Sequence, residues 1–383
     1  MRKTNLSVMG AGAGISSVLL IFVFVAYDWR QSALFAVGLS AGIVLYHAAF
    51  GFTSAWRDTI VHGRGAGLRA QMVMLGLTVV VFAPLITQGE LWGISLRGSV
   101  NPLNLAVASG AFLFGLGMQL GGSCASGTLF TVGGGNTRML ITLAAFIAGS
   151  VIGAWHWPAW QGVIGLEPVS LLERFGLGAG VAASLAIIAV IWVASKAHEN
   201  RYGVNAEATQ ERPIFNWLRG PWSLIVGAIG LCGINVATLV LAGRPWGVTS
   251  GFALWGSKLV STIGVDVASW EYWQRPGNAS ALNDSIFANI TSLMDFGIIL
   301  GALVAAGLAG KFTPSWNISL RPALAAIIGG LLMGYGARIA FGCNIGAFFG
   351  GVASSSLSGW LWFFAAFTGS IVGVRLRPAF GMA

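Results

Sequence analysis

Charge is scarce in this sequence: Asp, Glu, Lys and Arg make up 9% of its 383 residues. Soluble domains carry roughly 25%, so a water-soluble globule of this length is excluded. Cysteine is scarcer still. Cys124, Cys232 and Cys343 lie far apart with no metal-ligand spacing, and there are only four histidines; this argues against a disulfide framework and against a metal site. Acidic residues number 12 against 21 basic ones, a formal charge of +9. The basic residues stand singly in short loops without forming a stripe, so nucleic acid is not the expected partner. They read instead as topology signals, with attraction of an anion as a second use.

Apolar length is abundant. Hydrophobic residues reach 56% and the mean hydropathy is +0.78. Eleven apolar segments fall at about 7–27, 33–55, 68–87, 104–122, 138–156, 176–195, 222–243, 247–264, 286–309, 322–342 and 357–374. Many of them meet the roughly 18–20 residues that a helix needs to cross a bilayer. The chain is therefore an all-α polytopic membrane protein whose partner is the lipid bilayer. The opening "MRKTNLSVMGAGAGISSVLLIFVFVAY" has a basic flank and a long apolar run but no small-x-small cleavage site, and reads as a retained first helix. Tryptophans near segment ends, such as Trp155, Trp157, Trp160, Trp270 and Trp273, read as interface anchors. The 56 glycines suit close helix contact and broken backbone beside a cavity.

The longest polar stretch, Lys196 to Gly220, separates six segments from five. The expected organisation is a first membrane repeat over 1–197, a cytoplasmic linker over 198–220 and a second membrane repeat over 221–383. The halves look like copies. "SGAFLFGLGMQLGGSCASGTLF" (109–130) superimposes without a gap on "IGGLLMGYGARIAFGCNIGAFF" (328–349), placing Cys124 on Cys343 within a shared glycine register. "AGSVIG" (148–153) answers "TGSIVG" (368–373), and "GFTSAW" (51–56) echoes "GVTSGF" (247–252). If both Gly-x-Thr-Ser segments, 33–55 and 247–264, dip in and return on one side, then Arg57, Arg64, Arg69, Lys196, Arg201, Arg212, Arg219, Lys311, Arg321, Arg375 and Arg377 share one face. That face is the cytoplasmic one. The count predicts about nine transmembrane helices plus short re-entrant half-helices in two inverted pseudo-repeats. The N-terminus then lies on the periplasmic side and the C-terminus on the cytoplasmic side, against the sense of Arg2 and Lys3. Inverted repeats place a pathway at their interface.

Each Gly-Cys segment ends a helix in small and polar residues: Ser123, Ala125, Ser126, Gly127 and Thr128 in one half, Asn344, Gly346 and Ala347 in the other. Both read as re-entrant loops followed by half-helices, whose free N–H groups and positive dipole ends attract anions. A thiol in such apolar surroundings stays neutral and offers a weak S–H donor to a soft acceptor. A single membrane cysteine is ordinarily a small core hydrophobe, and Cys232, which matches no repeat position, is read that way. The matched pair Cys124 and Cys343 is read as functional. Asp295, Lys258 and Arg338 are intramembrane or motif-adjacent charges for which structural pairing is the commoner role. Arg338, if it faces the pathway, is placed to hold an oxyanion by paired N–H bonds.

"FGFTSAWRD" (50–58), "GGSCASG" (121–127) and "GARIAFGCNIGAFF" (336–349) resemble the signature segments of the YeeE/YedE membrane proteins, a family that includes thiosulfate uptake transporters. The resemblance implies nine transmembrane helices with short re-entrant ones in a pseudo-symmetric hourglass. It also implies a thiosulfate route marked by three cysteines, two of them answered here by Cys124 and Cys343. The family's first cysteine, before "FTSA", is replaced by Gly51, so a three-thiol relay is incomplete. Thr53 and Ser54 are local donors there. His47, four residues upstream of Gly51, would share its face on a continuous helix.

The expected function is import of thiosulfate or a related sulfur-containing anion across the cytoplasmic (inner) membrane, without enzyme activity or cofactor. Ser123, Ser126, Asn344, Gly51, Thr53, Ser54 and Arg338 accompany the two cysteines as substrate-binding candidates. A dianion moving inward opposes the membrane potential at about 2.3 kcal/mol per charge per 100 mV. Either a cotransported ion, with Asp295 or His47 as proton sites, or rapid cytoplasmic consumption offsets this; the family resemblance implies a TusA-like sulfurtransferase as the consumer. The alternatives are a membrane sulfurtransferase relaying sulfane sulfur through Cys124 and Cys343, a transporter of a selenium or other sulfur compound, and a passive channel.

Overall fold

The computed structural model describes residues 4–202 and 216–382. Arg2, Lys3, Arg212 and most of the linker's span lie outside the described residues. The first half contains α1 (Leu6–Ala26), α2 (Trp29–Ala48), α3 (Phe52–His62), α4 (Ala66–Gln88), α5 (Leu105–Gly121), α6 (Ala125–Gly133), α7 (Thr137–Trp155) and α8 (Leu171–Arg201). The second contains α9 (Leu224–Ala242), α10 (Thr249–Thr262), the short α11 (Glu271–Gln274) and α12 (Pro276–Asn283), α13 (Ile290–Ala309) and α14 (Leu320–Ile339). A π-helical turn (Asn344–Phe349) then runs into α15 (Gly350–Ala353) and is followed by α16 (Leu357–Leu376). Four two-residue strands make two small antiparallel pairs at loop positions, Glu90–Leu91 with Ile94–Ser95 and Leu103–Asn104 with Gly165–Leu166.

Ten of the described helices are long and apolar enough to cross a bilayer. This fits the expected all-α polytopic membrane fold of about nine crossings. Segment 33–55 does not dip in and return as one unit. Its main part is α2, whose 20 residues extend about 30 Å at 1.5 Å per residue, and only α3 is short. With α2 crossing, both ends of the described chain fall at one end of the bundle. Thr4 hydrogen-bonds the Leu308 carbonyl, a Cβ on Gly135 would meet the Phe312 ring, and Arg138 beside it contacts Met382. α8 also runs four residues past the expected boundary at 197, to Arg201.

Besides α11 and α12, four elements are too short to cross: α3, α6, α10 and the run 344–353. Each follows a helix that ends in a positive-φ turn. α2 ends at Ala49 in a left-handed conformation (φ 45°), α5 at Gly122 (φ 90°), α9 at Gly243 (φ 71°), and α14 at Phe341 (φ 59°) and Gly342 (φ 144°). Gly122 and Gly342 hold conformations that a side chain would resist, and the chain turns back there to begin a new helix inside the protein.

The long helices pack through glycine. α5 crosses α14, and a Cβ on Gly110 would stand 2.6 Å from the Gly336 carbonyl oxygen, while one on Gly117 would stand 2.7 Å from that of Gly329. Packing this close places backbone against backbone and seals the wall of the bundle. One large core joins α2, α5, α13, α14 and α16 around Phe52, Phe114, Phe146, Phe252, Phe348 and Trp362.

Candidate functional site

Cys124 is the N-cap of α6 and Cys343 is the N-cap of the π-helical turn. Both are reduced and buried, at 2% and 1% exposure. The Cys124 sulfur stands 3.7 Å from the Ser126 hydroxyl and is reached by backbone groups of Gly127 and Phe52. Phe52 is the first residue of α3, whose N-cap is Gly51. The beginnings of α3 and α6 therefore meet at one sulfur. On the other side, backbone groups of Ile345 and Gly346 reach the Cys343 sulfur. A Cβ on Gly346 would sit 3.8 Å from Gly247, just before α10 begins. The Phe52 and Phe348 rings, 6.2 Å apart and edge to face, connect the two pairs. The starts of four short helices, each a positive dipole end, thus gather near a layer of two sulfurs and two rings.

A cavity approaches this layer from each end. One, of about 320 Å³, is lined by Phe50, Gly51, Ser54, Asp58, Arg64, Arg69, Gln71 and Glu199. Its charges are balanced. Glu199 accepts hydrogen bonds from Arg69 (3.1 Å), Lys196 (3.1 Å) and the Gly65 N–H (2.9 Å). The other cavity, of about 350 Å³, is lined by Arg97, Arg244, Arg275, Arg338, Ser99, Thr249, Gly342 and Gly346. It has four guanidinium groups and no carboxylate. Glu199 pairs with Arg69 and Lys196, and Asp58 with His62, all away from this cavity. Arg244 donates to Thr291 Oγ1 at 3.0 Å; Arg275 lies over the Trp157 ring at 5.5 Å. Arg338 donates to Tyr272 and Thr249 hydroxyls, each at 2.7 Å. Neutral partners hold these side chains in place and leave their charge available to an anion.

Gly51 lines the balanced cavity with Ser54. Ser54 Oγ donates to the Gly51 carbonyl at 3.2 Å. Thr53 is buried, its hydroxyl without a partner and its carbonyl accepting from Gln119 Nε2 at 3.2 Å. Asn344 is fully buried, and neither side-chain polar atom has a partner. Ser123, at 8% exposure, sits directly before Cys124. Asp295 is fully buried with both carboxyl oxygens unpartnered, and a Cβ on Gly251 would stand 2.7 Å from its Oδ2. His47 is not brought to this layer. Its ring packs on Trp222 at 5.2 Å and beside Gly220, because the left-handed turn at Ala49 breaks the helix before Gly51 is reached. Lys258 donates to the Leu282 carbonyl at 2.7 Å. Cys232 is packed on α9 beside Thr78 and lines neither cavity.

Three arginines, Arg97, Arg244 and Arg275, were not singled out by the sequence reading. The signal available was their position: each lies in a loop at the end opposite the other basic clusters.

Residues 47–372 match the family model described as Sulphur transport. The chain belongs to the sulphur transport family. The thiosulfate transporter TsuA of Spirochaeta thermophila is 32% identical over 338 residues, 85% of this chain and 92% of that protein. The thiosulfate transporter TsuA of Escherichia coli is 24% identical over 346 residues, 85% of this chain and 88% of that protein. The probable transporter YedE of Escherichia coli is 33% identical over 166 residues, 43% of this chain and 40% of that protein. The family match covers both Gly-Cys segments and both Gly-x-Thr-Ser segments, and it points to transport rather than to an enzyme.

Proposed function

We propose that this chain imports thiosulfate, or a closely related sulfur oxyanion, across the cytoplasmic membrane along a route through the Cys343–Cys124 layer. The observation that carries the reading is the pair of buried thiols, each capping a short helix, between an arginine-lined cavity and a charge-balanced one. Arginines gather the anion from solution. The helix N-termini then replace part of its hydration, and the two S–H groups meet its polarisable outer sulfur. Asn344, Thr53, Ser123, Ser126 and Ser54 supply further donors along the route, while Arg338 stands where the sulfonate end would enter. The relatives named thiosulfate transporters support the substrate.

The two halves are read as inverted repeats, 1–197 and 221–383 about the linker, with the route on their pseudo-twofold axis. The charge-balanced cavity is assigned to the cytoplasm. Arg57, Arg64, Arg69, Arg138, Lys196, Lys311 and Arg377 cluster at that end, in keeping with the positive-inside bias. Both termini are then cytoplasmic. A sulfurtransferase of the TusA type is a fitting consumer on that side. The test is uptake of labelled thiosulfate by liposomes containing the purified chain: time-dependent entry of intact anion is expected, and no entry above that of empty liposomes, with the chain inserted and folded, overturns the reading.

A further inference from the structure

Asp295 is a buried acid that anion recognition alone does not explain. It occupies the middle of α13 at 0% exposure, and no donor reaches either oxygen. An ionised carboxylate without a donor is not tolerated in such a place, whereas a carboxylic acid is. The helices packed on α13 supply no counter-ion. Within their ranges α1 and α6 contain no titratable residue, α2 has only Arg30, Tyr46 and His47 near its two ends, and α10 has Lys258, turned to the Leu282 carbonyl.

Polar groups nevertheless lead to Asp295 from the arginine-lined cavity. Arg244, in that cavity, donates to Thr291 Oγ1 at 3.0 Å, and Ser250 donates to the same oxygen at 3.1 Å. Thr291 lies four residues before Asp295, one turn away on the same face of α13. Ser292 and the start of α10 at Gly251 complete the surroundings. Beyond Asp295, the Cys343 sulfur is within electrostatic range of both the carboxyl and the Cys124 sulfur. Groups with exchangeable protons thus run from the outer cavity through Asp295, Cys343 and Cys124 towards the cavity floored by Gly51.

We propose that Asp295 is the proton-coupling site of this transporter: one proton is taken from the outer cavity onto the carboxylate, and one is released on the inner side for each anion that crosses. The acid is neutral while the dianion sits beside Cys343, since two negative groups that close would repel. Its deprotonation accompanies discharge inward. Coupling of this kind reduces the charge moved per cycle from two to one. The inference rests on the thiosulfate reading.

The test uses the full chain in liposomes with an entrapped pH dye, the voltage clamped by potassium and valinomycin, and labelled thiosulfate outside. Wild type is expected to acidify the lumen as the anion enters. With the outside one pH unit more acidic, it should accumulate thiosulfate about tenfold, the ratio for one proton per anion. Asp295→Asn, which mimics the neutral acid, should exchange labelled thiosulfate across the membrane but lose both acidification and pH-driven accumulation. Asp295→Glu should retain coupling with a displaced pH dependence. Labelled uptake by wild type without acidification overturns the proton site alone, as does undiminished acidification by Asp295→Asn. If Asp295→Asn fails to insert, the wild-type proton flux and the pH profile of Asp295→Glu decide the matter. No labelled uptake by wild type at all overturns the thiosulfate reading instead.

Discussion

Gly117 of α5 faces Gly329 of α14 so closely that a Cβ on either would run into the backbone of the other. The contact between Gly110 and Gly336 is the same one with the helices exchanged, since Gly110 aligns with Gly329 and Gly117 with Gly336. The pattern recurs further out. Gly115 meets the Ala366 carbonyl and Gly334 that of Phe146; Gly369 meets the Phe112 carbonyl and Gly149 that of Leu331. Such reciprocal contacts are those a twofold relation between the halves would produce, and in each the aligned position of both halves is glycine.

Gly329→Ala is expected to destabilise the protein by about 1–3 kcal/mol, the usual cost of overpacking, because its Cβ would stand 2.5 Å from the Gly117 carbonyl oxygen. Thermal unfolding in detergent should show a lowered midpoint. Gly14→Ala, with open space around its Cβ, should leave that midpoint unchanged.

Removing either thiol should strongly slow growth on thiosulfate as sole sulfur source. Cys124→Ala and Cys343→Ala each delete a donor at the layer between the cavities, and at about 1–1.5 kcal/mol per lost hydrogen bond uptake should fall roughly tenfold. Cys232→Ala, away from both cavities, is the control and should grow normally. Normal growth of the first two, with the protein present in the membrane, removes the thiols from the mechanism.

Gly51→Cys should preserve or improve uptake. Gly51 has an ordinary φ of −114°, and an added Cβ would meet only the Ser54 hydroxyl, at 2.8 Å. That hydroxyl can rotate away. Gly127→Ala should be harmful by contrast, since its Cβ would displace Ser123 Oγ and press on the Cys124 sulfur at 3.2 Å. Initial rates of labelled uptake distinguish the two.

Arg97→Gln, Arg244→Gln and Arg275→Gln should raise the half-saturating concentration several-fold while the maximal rate changes little. The combined variant should also show a weaker dependence on ionic strength, because steering by exposed charge is what salt screens. A fall in maximal rate with unchanged half-saturation would contradict a collecting role.

Thiosulfate labelled separately on its two sulfurs should enter with both labels together. A covalent relay through Cys124 and Cys343 would deliver the outer sulfur and leave sulfite outside, so unequal entry of the labels would favour the sulfurtransferase alternative.

The long helices were legible because their apolar runs match the thickness of a bilayer. The break before α3 was harder to read. In "HAAFGFTSAW" neither proline nor a polar run marks the turn, and Ala49 takes a left-handed conformation that no residue type announces. The same turn carries His47 away from Gly51, so spacing by four residues did not amount to a shared face. Both cysteines were legible through their common register. The arginine-lined cavity was not, since Arg97, Arg244, Arg275 and Arg338 come from four separate segments and only the folded chain gathers them. Asp295 was visible as a charge in an apolar helix, but its lack of partners is a tertiary property.

Cavities reaching Gly51 from one side and Gly346 from the other would, once filled with water, leave little dielectric material between them. The transmembrane voltage would then drop across two aromatic rings and two sulfurs rather than across the full bilayer. An anion on the proposed route would do nearly all its electrical work in one short hop past Phe52 and Phe348, and voltage would govern the rate at that hop.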